Sequence, residues 1–199
     1  MLRRIIHSIV AKPAVYDTVQ IMVGARRNQR KLALQLKSVA QDAAVLDLGG
    51  GTGIHRHLLP ESCRYICLDN DIEKLEGFLS KYPRETALLA SGEGLPIKDR
   101  SLDAILFVYV SHHLSDSVFE RLLDESQRVL KPQGQFIMLD AVWDPLRLSG
   151  QLLWKYDRGE FPRRPEMLRA MLSHHGEITY WEEFAIFHSY ILTVLRPAS

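Results

Sequence analysis

Two carboxylates and three glycines recur at short intervals early in the chain. Asp47, Gly49, Gly51 and Gly53 alternate through "VLDLGGGTG", and Asp69 follows in "ICLDND". Glycine loses more conformational freedom on folding than any other residue, so a cluster of glycines needs a reason. A turn of this kind removes the Cβ atoms that keep a ligand off the backbone. It also leads into a helix start whose N–H groups lack intrahelical partners. Two cofactor classes suit such a turn. A dinucleotide calls for G-x-G-x-x-G, with a third small residue for close helix packing. Counted from Gly49, the sixth position is Ile54, and the pattern fails there. Asp47 repels a pyrophosphate and better suits a ligand with a cationic end.

The histidine doublets His112-His113 and His174-His175 are adjacent pairs. They lack the i, i+4 spacing that brings two imidazoles on a helix to one metal. Cys63 and Cys67 lack the second half of a zinc pattern, so no metal is expected. The same two cysteines are too few for a disulfide framework and fit a reducing cytoplasm.

These residues need a scaffold that gathers strand ends and helix starts. From Ala43 onward, short apolar strands alternate with amphipathic helices. Strands are expected over Ala44–Leu48, Tyr65–Leu68, Thr86–Leu89, Asp103–Tyr109 and Gln135–Leu139. Helices are expected from about Ile54, over Ile72–Lys81 and over Val118–Leu130. Such alternation signals a parallel sheet covered on both faces. A helix from about Pro165 to Ser173 then precedes strands Ile178–Phe184 and Ser189–Leu195, which read as a terminal antiparallel hairpin. In sheets of this type ligands bind beyond the carboxyl ends of the strands, where strand order reverses, and the Gly49–Gly53 turn occupies such an end.

The chain has 199 residues, 46% hydrophobic and 25% charged, which fits one domain and excludes disorder. The expected layout is a helical cap over residues 1–40 and a core over 41–199, with an acceptor-site insertion at about 141–165. In the cap, Leu2, Ile5, Ile6, Ile9 and Val10 form one helical stripe that Pro13 ends; further helices read over Tyr16–Val23 and Arg26–Val39. The net charge of +1 hides a basic arm, because Arg3, Arg4, Lys12, Arg26, Arg27, Arg30, Lys31 and Lys37 face only Asp17 before residue 41. This arm either attracts an anionic lipid, substrate or nucleic acid, or forms the solvated faces of ordinary helices. Peripheral membrane contact through the first helix is one reading of its stripe. No apolar run approaches the roughly 20 residues of a membrane span.

Around Asp47-x-Gly49-x-Gly51-x-Gly53 the sequence resembles the class I S-adenosylmethionine-dependent methyltransferases, in their small-molecule, type 11-like branch. The likeness runs from Val45 to the C-terminus. It continues through "ICLDND", "ASGEGLPIKDRSLDAILFVYVSHHL" and "RVLKPQGQFIMLD" in the family's order. It implies a Rossmann-like three-layer α/β sandwich: a mostly parallel seven-stranded sheet, a C-terminal antiparallel hairpin and N-terminal helices as cover. It also implies S-adenosyl-L-methionine as cofactor and S-adenosyl-L-homocysteine as product. On this resemblance Gly49, Gly51 and Gly53 wrap the methionine part, and Asp47 orients its amino end. Asp69 accepts both ribose hydroxyls, while Asn70 or Ile72 flanks the adenine. Ser91, Gly92, Glu93 and Tyr109 complete the cofactor site, and Tyr16 closes over the methionine carboxylate. Two positions depart from the family. Ser91-Gly92 stands where relatives carry Asp-Ala, so serine or backbone must receive the adenine amino group, and Gln133 replaces a usual glycine in "KPQG".

Methyl transfer from a sulfonium is an in-line displacement that needs a positioned nucleophile, excluded water and, for some acceptors, a base. His112 and His113 follow the fourth strand, where the resemblance places the reactive end. Either is a candidate base, the alternative being packing against the cofactor or capping near Ser115. Asp140 ends the fifth strand and either faces the pocket or serves as a cap or ion pair. Trp143, Trp154, Tyr156 and Phe161 form either an aromatic wall for a flat acceptor or core beneath a helix. The implied reaction is methylation at O or C of a small aromatic or lipid-like acceptor. A catalytically silent cofactor-binding partner module is the alternative. A nucleic-acid methyltransferase is disfavoured, because "VYVSHHL" stands where an "NPPY"- or "DPPY"-type segment would follow the fourth strand.

Overall fold

The computed structural model describes residues 26–155 and 159–197. Tyr16, the helices expected before residue 26 with their membrane contact, and Tyr156 lie outside the described residues. Seven strands form one sheet in the order β3-β2-β1-β4-β5-β7-β6. They are β1 (Ala44–Leu48), β2 (Arg64–Asp69), β3 (Thr86–Leu89), β4 (Leu102–Val108), β5 (Leu130–Val142), β6 (Glu177–Ala185) and β7 (Ser189–Arg196). Strands β1 to β5 pair in parallel, and β7 runs antiparallel to both β5 and β6. The α/β sandwich with its terminal hairpin therefore has the expected form.

The central strands read as continuous apolar runs because both faces are covered. Leu46, Leu48, Ile105, Phe107 and Met138 pack on one face with Phe119 and Leu123 of α3 (Asp116–Val129) and Leu168 and Leu172 of α5 (Pro165–His175). Val45, Leu106, Ile137 and Leu139 pack on the other with Leu32 and Leu36 of α1 (residues 26–36) and Leu75 and Phe78 of α2 (Ile72–Lys81). Phe107 stacks on Phe119 with centroids 5.7 Å apart; burying a ring of this kind contributes on the order of 1.5–3 kcal/mol. Strand β1 has β2 on one side and β4 on the other, so the strand order reverses between β1 and β4. The turns after these two strands share a crevice at the carboxyl edge. Because Ser189 pairs with both Val142 and Ala185, the β6–β7 turn joins the same rim.

Three elements differ from the sequence expectation. No α-helix starts at Ile54: residues 51–55 are turns, and Arg56–Leu58 form a 3-10 turn. Its amides bond three residues back, Arg56 to Gly53 (3.2 Å) and Leu58 to His55 (2.9 Å). Pro60 disfavours helical geometry at Leu59, and the buried Arg56 guanidinium takes the carbonyls of Leu59 (3.2 Å) and Pro60 (3.0 Å). Strand β5 begins at Leu130 rather than Gln135, absorbing "KPQG" through a register shift opposite Leu102 and Ala104. Helix α4 (Leu148–Trp154) arises inside the stretch expected to be an insertion.

Candidate functional site

The three alternate glycines of the first turn all have positive φ: Gly49 (76°), Gly51 (55°) and Gly53 (68°). Their lack of a side chain serves different neighbours. A Cβ on Gly49 would lie 2.6 Å from Val110 Cγ2, and one on Gly53 would lie 2.4 Å from Phe78 Cδ2. Those two glycines let the segment after β4 and helix α2 approach the turn. A Cβ on Gly51 would meet nothing closer than Lys74 Cδ at 3.6 Å and Asp69 Oδ2 at 3.9 Å. Gly51 is therefore the position where the backbone is left open to a ligand.

Asp47 is buried at the end of β1, where Tyr65 donates its hydroxyl to Oδ2. Burial pushes the carboxyl up to about 6, against the Tyr65 hydrogen bond and with a push from the Asp69 charge. The neighbouring Cys67 thiol is raised to about 12 by burial and by Asp47 and Asp69, which keeps it protonated and inert. Asp69, at the end of β2, accepts the Gly51 amide on Oδ2 (3.0 Å) and the Asp71 amide on Oδ1 (3.0 Å). It thereby ties the second strand end to the glycine turn. Asn70 and Ile72 are exposed beside it, with Ile72 opening α2 behind the Asp71 cap. Ser91 and Glu93 are exposed on the loop after β3. Glu93 faces outward to Arg121, and Gly92 lies under Leu122, where a Cβ would sit 2.7 Å from Cδ1.

Past β4, Tyr109 holds φ at 60°, a conformation unfavourable for a bulky residue and typical of functional turns. Its hydroxyl accepts Asn28 Nδ2 of α1 (2.7 Å), and its ring stands 6.5 Å from His55 and 6.4 Å from Tyr190. Burial, with the charge of His57, lowers His55 to about 4, so it is neutral at physiological pH.

The next turn, Ser111–His113, meets the end of β5. Asp140 is fully buried, and its Oδ2 accepts both the Ser111 amide (2.7 Å) and the Ser111 hydroxyl (2.6 Å). Its Oδ1 lies 2.5 Å from His112 Nδ1. Burial alone would raise this carboxyl, but His112, Ser111 and the Ala141 amide together hold it below the usual range. An ionised carboxylate is acceptor-only, which makes His112 Nδ1 the donor. His113 is exposed, with its ring 4.2 Å from that of His112. Arg163 clamps this turn from outside, donating to Ser111 O (2.7 Å), Leu114 O (2.6 Å) and Asp116 Oδ1 (2.9 Å).

The aromatic residues divide. Trp154 of α4 is buried edge-on between His112 (5.6 Å) and His188 (5.0 Å). Phe161 is partly exposed, and its amide donates to His112 O (3.0 Å). Trp143 instead lines a cleft of ≈ 500 Å³ with Leu146, Phe184, Ser189 and Tyr190. Sequence reading thus paired Asp47 with the glycines and placed His112 and Asp140 separately. It missed Asn28, Tyr65, Ser111 and Arg163. Ser111 carried a weak signal as the residue before the doublet, whereas the others act across the fold.

The crevice thus combines an open glycine backbone between two carboxylate-bearing strand ends with a buried Asp–His pair. A family model described as "Methyltransferase domain" matches residues 46–138. An uncharacterised methyltransferase of Mycobacterium tuberculosis (strain ATCC 25618 / H37Rv) is 32% identical over 117 residues, 58% of this chain and 45% of that protein. The chain thus spans about half of that relative's length. A ubiquinone/menaquinone biosynthesis C-methyltransferase of Cronobacter sakazakii is 27% identical over 204 residues, 94% of this chain and 76% of that one. Among solved structures, a protein of Pyrococcus horikoshii OT3 superposes with a TM-score of 0.71 at 20% identity, covering 91% of each chain. Over residues 46–138 the chain is thus similar to a methyltransferase domain, in line with the resemblance to the class I S-adenosylmethionine-dependent methyltransferases. Among the described residues no helix is long and apolar enough to cross a membrane.

Proposed function

We propose that the protein transfers a methyl group from S-adenosylmethionine to an oxygen or carbon of a small, aromatic or otherwise apolar acceptor. The crevice fits this cofactor on its own chemistry. Gly51 leaves room where any side chain would intrude, and Asp69 is a buried strand-end carboxylate suited to paired hydroxyls. Asp47 places a carboxyl where a cationic amino end would be favoured. When bound, the cofactor supplies a methyl group activated on a sulfonium centre.

The chain's own part is to bind, orient and move a proton. The observation that carries the reading is the Asp140–His112 contact at 2.5 Å, in the crevice beside the glycine turn. Asp140 fixes the imidazole with its proton on Nδ1 and stabilises the imidazolium that forms when the ring accepts a second proton. His112 is then placed to take the proton from an acceptor hydroxyl or an activated carbon. Trp154, packed edge-on against His112, covers the imidazole and keeps water from it. The cleft beside Trp143, Phe184 and Tyr190 offers apolar surface to the acceptor's body.

Two measurements test this reading. Calorimetry with adenosylhomocysteine is expected to show binding. Methyl transfer to a panel of phenols and quinols is expected to give product that depends on His112. A folded protein that binds no adenosylhomocysteine, or turnover that is unaffected by His112→Ala, overturns it.

A further inference from the structure

Helix α1 runs antiparallel to the central strands. Just after its last turn, Ser38 Oγ donates to Gln135 Oε1 (2.9 Å), opposite the start of β4. Near its first turn, Asn28 Nδ2 donates to Tyr109 Oη (2.7 Å), just past the carboxyl end of β4. The helix therefore delivers Asn28 to the crevice edge, the end at which the glycine turn opens. Asn28 is 2% exposed, and among the described residues its Oδ1 has no hydrogen-bond partner. A buried carbonyl without a donor is costly and persists where a ligand or ordered water supplies the missing hydrogen.

The surroundings select the donor. Tyr109 holds the Asn28 amide by its Nδ2 side, and this tyrosine is itself kept in a strained turn. Its ring neighbours His55, two residues past Gly53 and neutral. Arg56, the next residue, has its guanidinium turned away to Glu85 and the carbonyls of Leu59, Pro60 and Glu61. The Asp47 carboxyl lies against the glycine turn itself, where a Cβ on Gly50 would meet its Cγ at 2.7 Å. The Asn28 oxygen and the Asp47 carboxyl are both acceptors, and neither His55 nor Arg56 offers a competing cation, which suits an ammonium.

We propose that Asn28 is a cofactor-binding residue whose amide oxygen accepts a hydrogen bond from the α-ammonium group at the amino-acid end of the methyl donor. This rests on the cofactor reading above and extends it to the covering helix, which adds a contact to those of the glycine turn.

Three ligands separate the outcomes when titrated by calorimetry into the full chain. Adenosylhomocysteine carries the whole amino-acid end, its decarboxylated analogue keeps the amine alone, and methylthioadenosine has neither. Asn28→Ala is expected to weaken the first two by about tenfold, as for a hydrogen bond to a charged group, and to leave methylthioadenosine within twofold. Asn28→Asp, which keeps an acceptor at the same place, is expected to retain or tighten both amine ligands. It also serves as the test if the alanine variant does not fold. Equal losses for all three ligands, no loss for any, or a loss confined to adenosylhomocysteine overturns the assignment; the last result would give the amide to the carboxylate. Wild-type protein that binds none of the three overturns the cofactor reading itself, whereas wild-type binding with an unaffected Asn28→Ala overturns only the role of Asn28.

Discussion

His112 Nδ1 lies 2.5 Å from Asp140 Oδ1, while the other oxygen of the same carboxylate receives Ser111 through both its amide and its hydroxyl. One buried group thus sets the backbone of the turn after β4 and the orientation of the imidazole on it. The turn after β4 and a residue near the end of the adjacent parallel strand β5 make one unit.

If that unit moves a proton, His112→Ala lowers kcat by about 10²- to 10⁴-fold, the range of a positioned acid–base group. Affinity for adenosylhomocysteine stays within about twofold, because the proposed cofactor contacts lie on other side chains. Asp140→Asn presents an amide to Nδ1 in place of a carboxylate and gives a loss of similar size. Steady-state kinetics alongside calorimetry checks both. A change in affinity without a change in kcat would make His112 a binding residue.

Asp47 and Asp140 shape acid stability with opposite signs. The folded pKa of Asp47 is raised to about 6, so between about pH 4 and pH 6 the folded state holds a proton that the unfolded chain has released. Stability falls as pH rises through that window, by on the order of 3 kcal/mol. Asp47→Asn removes this titration, so the variant is expected to be the more stable form at pH 8, with the gap closing towards pH 4. For Asp140 the folded pKa is depressed; its contribution is present above the ordinary carboxylate range and lost as pH falls through the lower folded value. Urea midpoints measured from pH 3 to 8 separate the two.

The glycines of the first turn are expected to fail differently. Gly53→Ala drives a Cβ into the Phe78 ring at a positive φ and costs about 2–5 kcal/mol, from overpacking and backbone strain together. Gly51→Ala meets open space and costs only about 1–2 kcal/mol from its φ. It nevertheless abolishes adenosylhomocysteine binding, because the new methyl stands where the cofactor would approach. Melting curves with and without ligand distinguish the two variants.

Arg163 satisfies two carbonyls and one carboxylate around the Ser111–His113 turn while almost fully buried. Arg163→Ala leaves the Ser111 and Leu114 carbonyls without this donor and is expected to lose about 2–4 kcal/mol in urea unfolding. Arg163→Lys recovers only part of that, since an ammonium cannot reproduce the planar fork. Because Ser111 and His112 ride on the same turn, kcat is expected to fall in both variants.

Much of the fold was legible because its signals are local. Helix Ile72–Lys81 and strand Thr86–Leu89 form with the boundaries their patterns predict. Asp71 caps the helix through the amides of Glu73 and Lys74, and side-chain periodicity does the rest. The helix expected from Ile54 failed where Pro60 and the Arg56 side chain outweighed periodicity. Helix α4 was missed because its seven residues, with Leu148 and Leu152 exposed, carry no buried stripe.

The chain's own letters determined the order of strands and helices, the positive-φ turn and the two strand-end carboxylates, since each depends on neighbours within a few positions. Only the tertiary structure decided that His112 meets Asp140, that Gly53 makes way for Phe78 and that Asn28 reaches Tyr109 across 81 positions. Contacts of that kind depend on how strand ends and covering helices converge in space, and periodicity along the chain does not encode that distance.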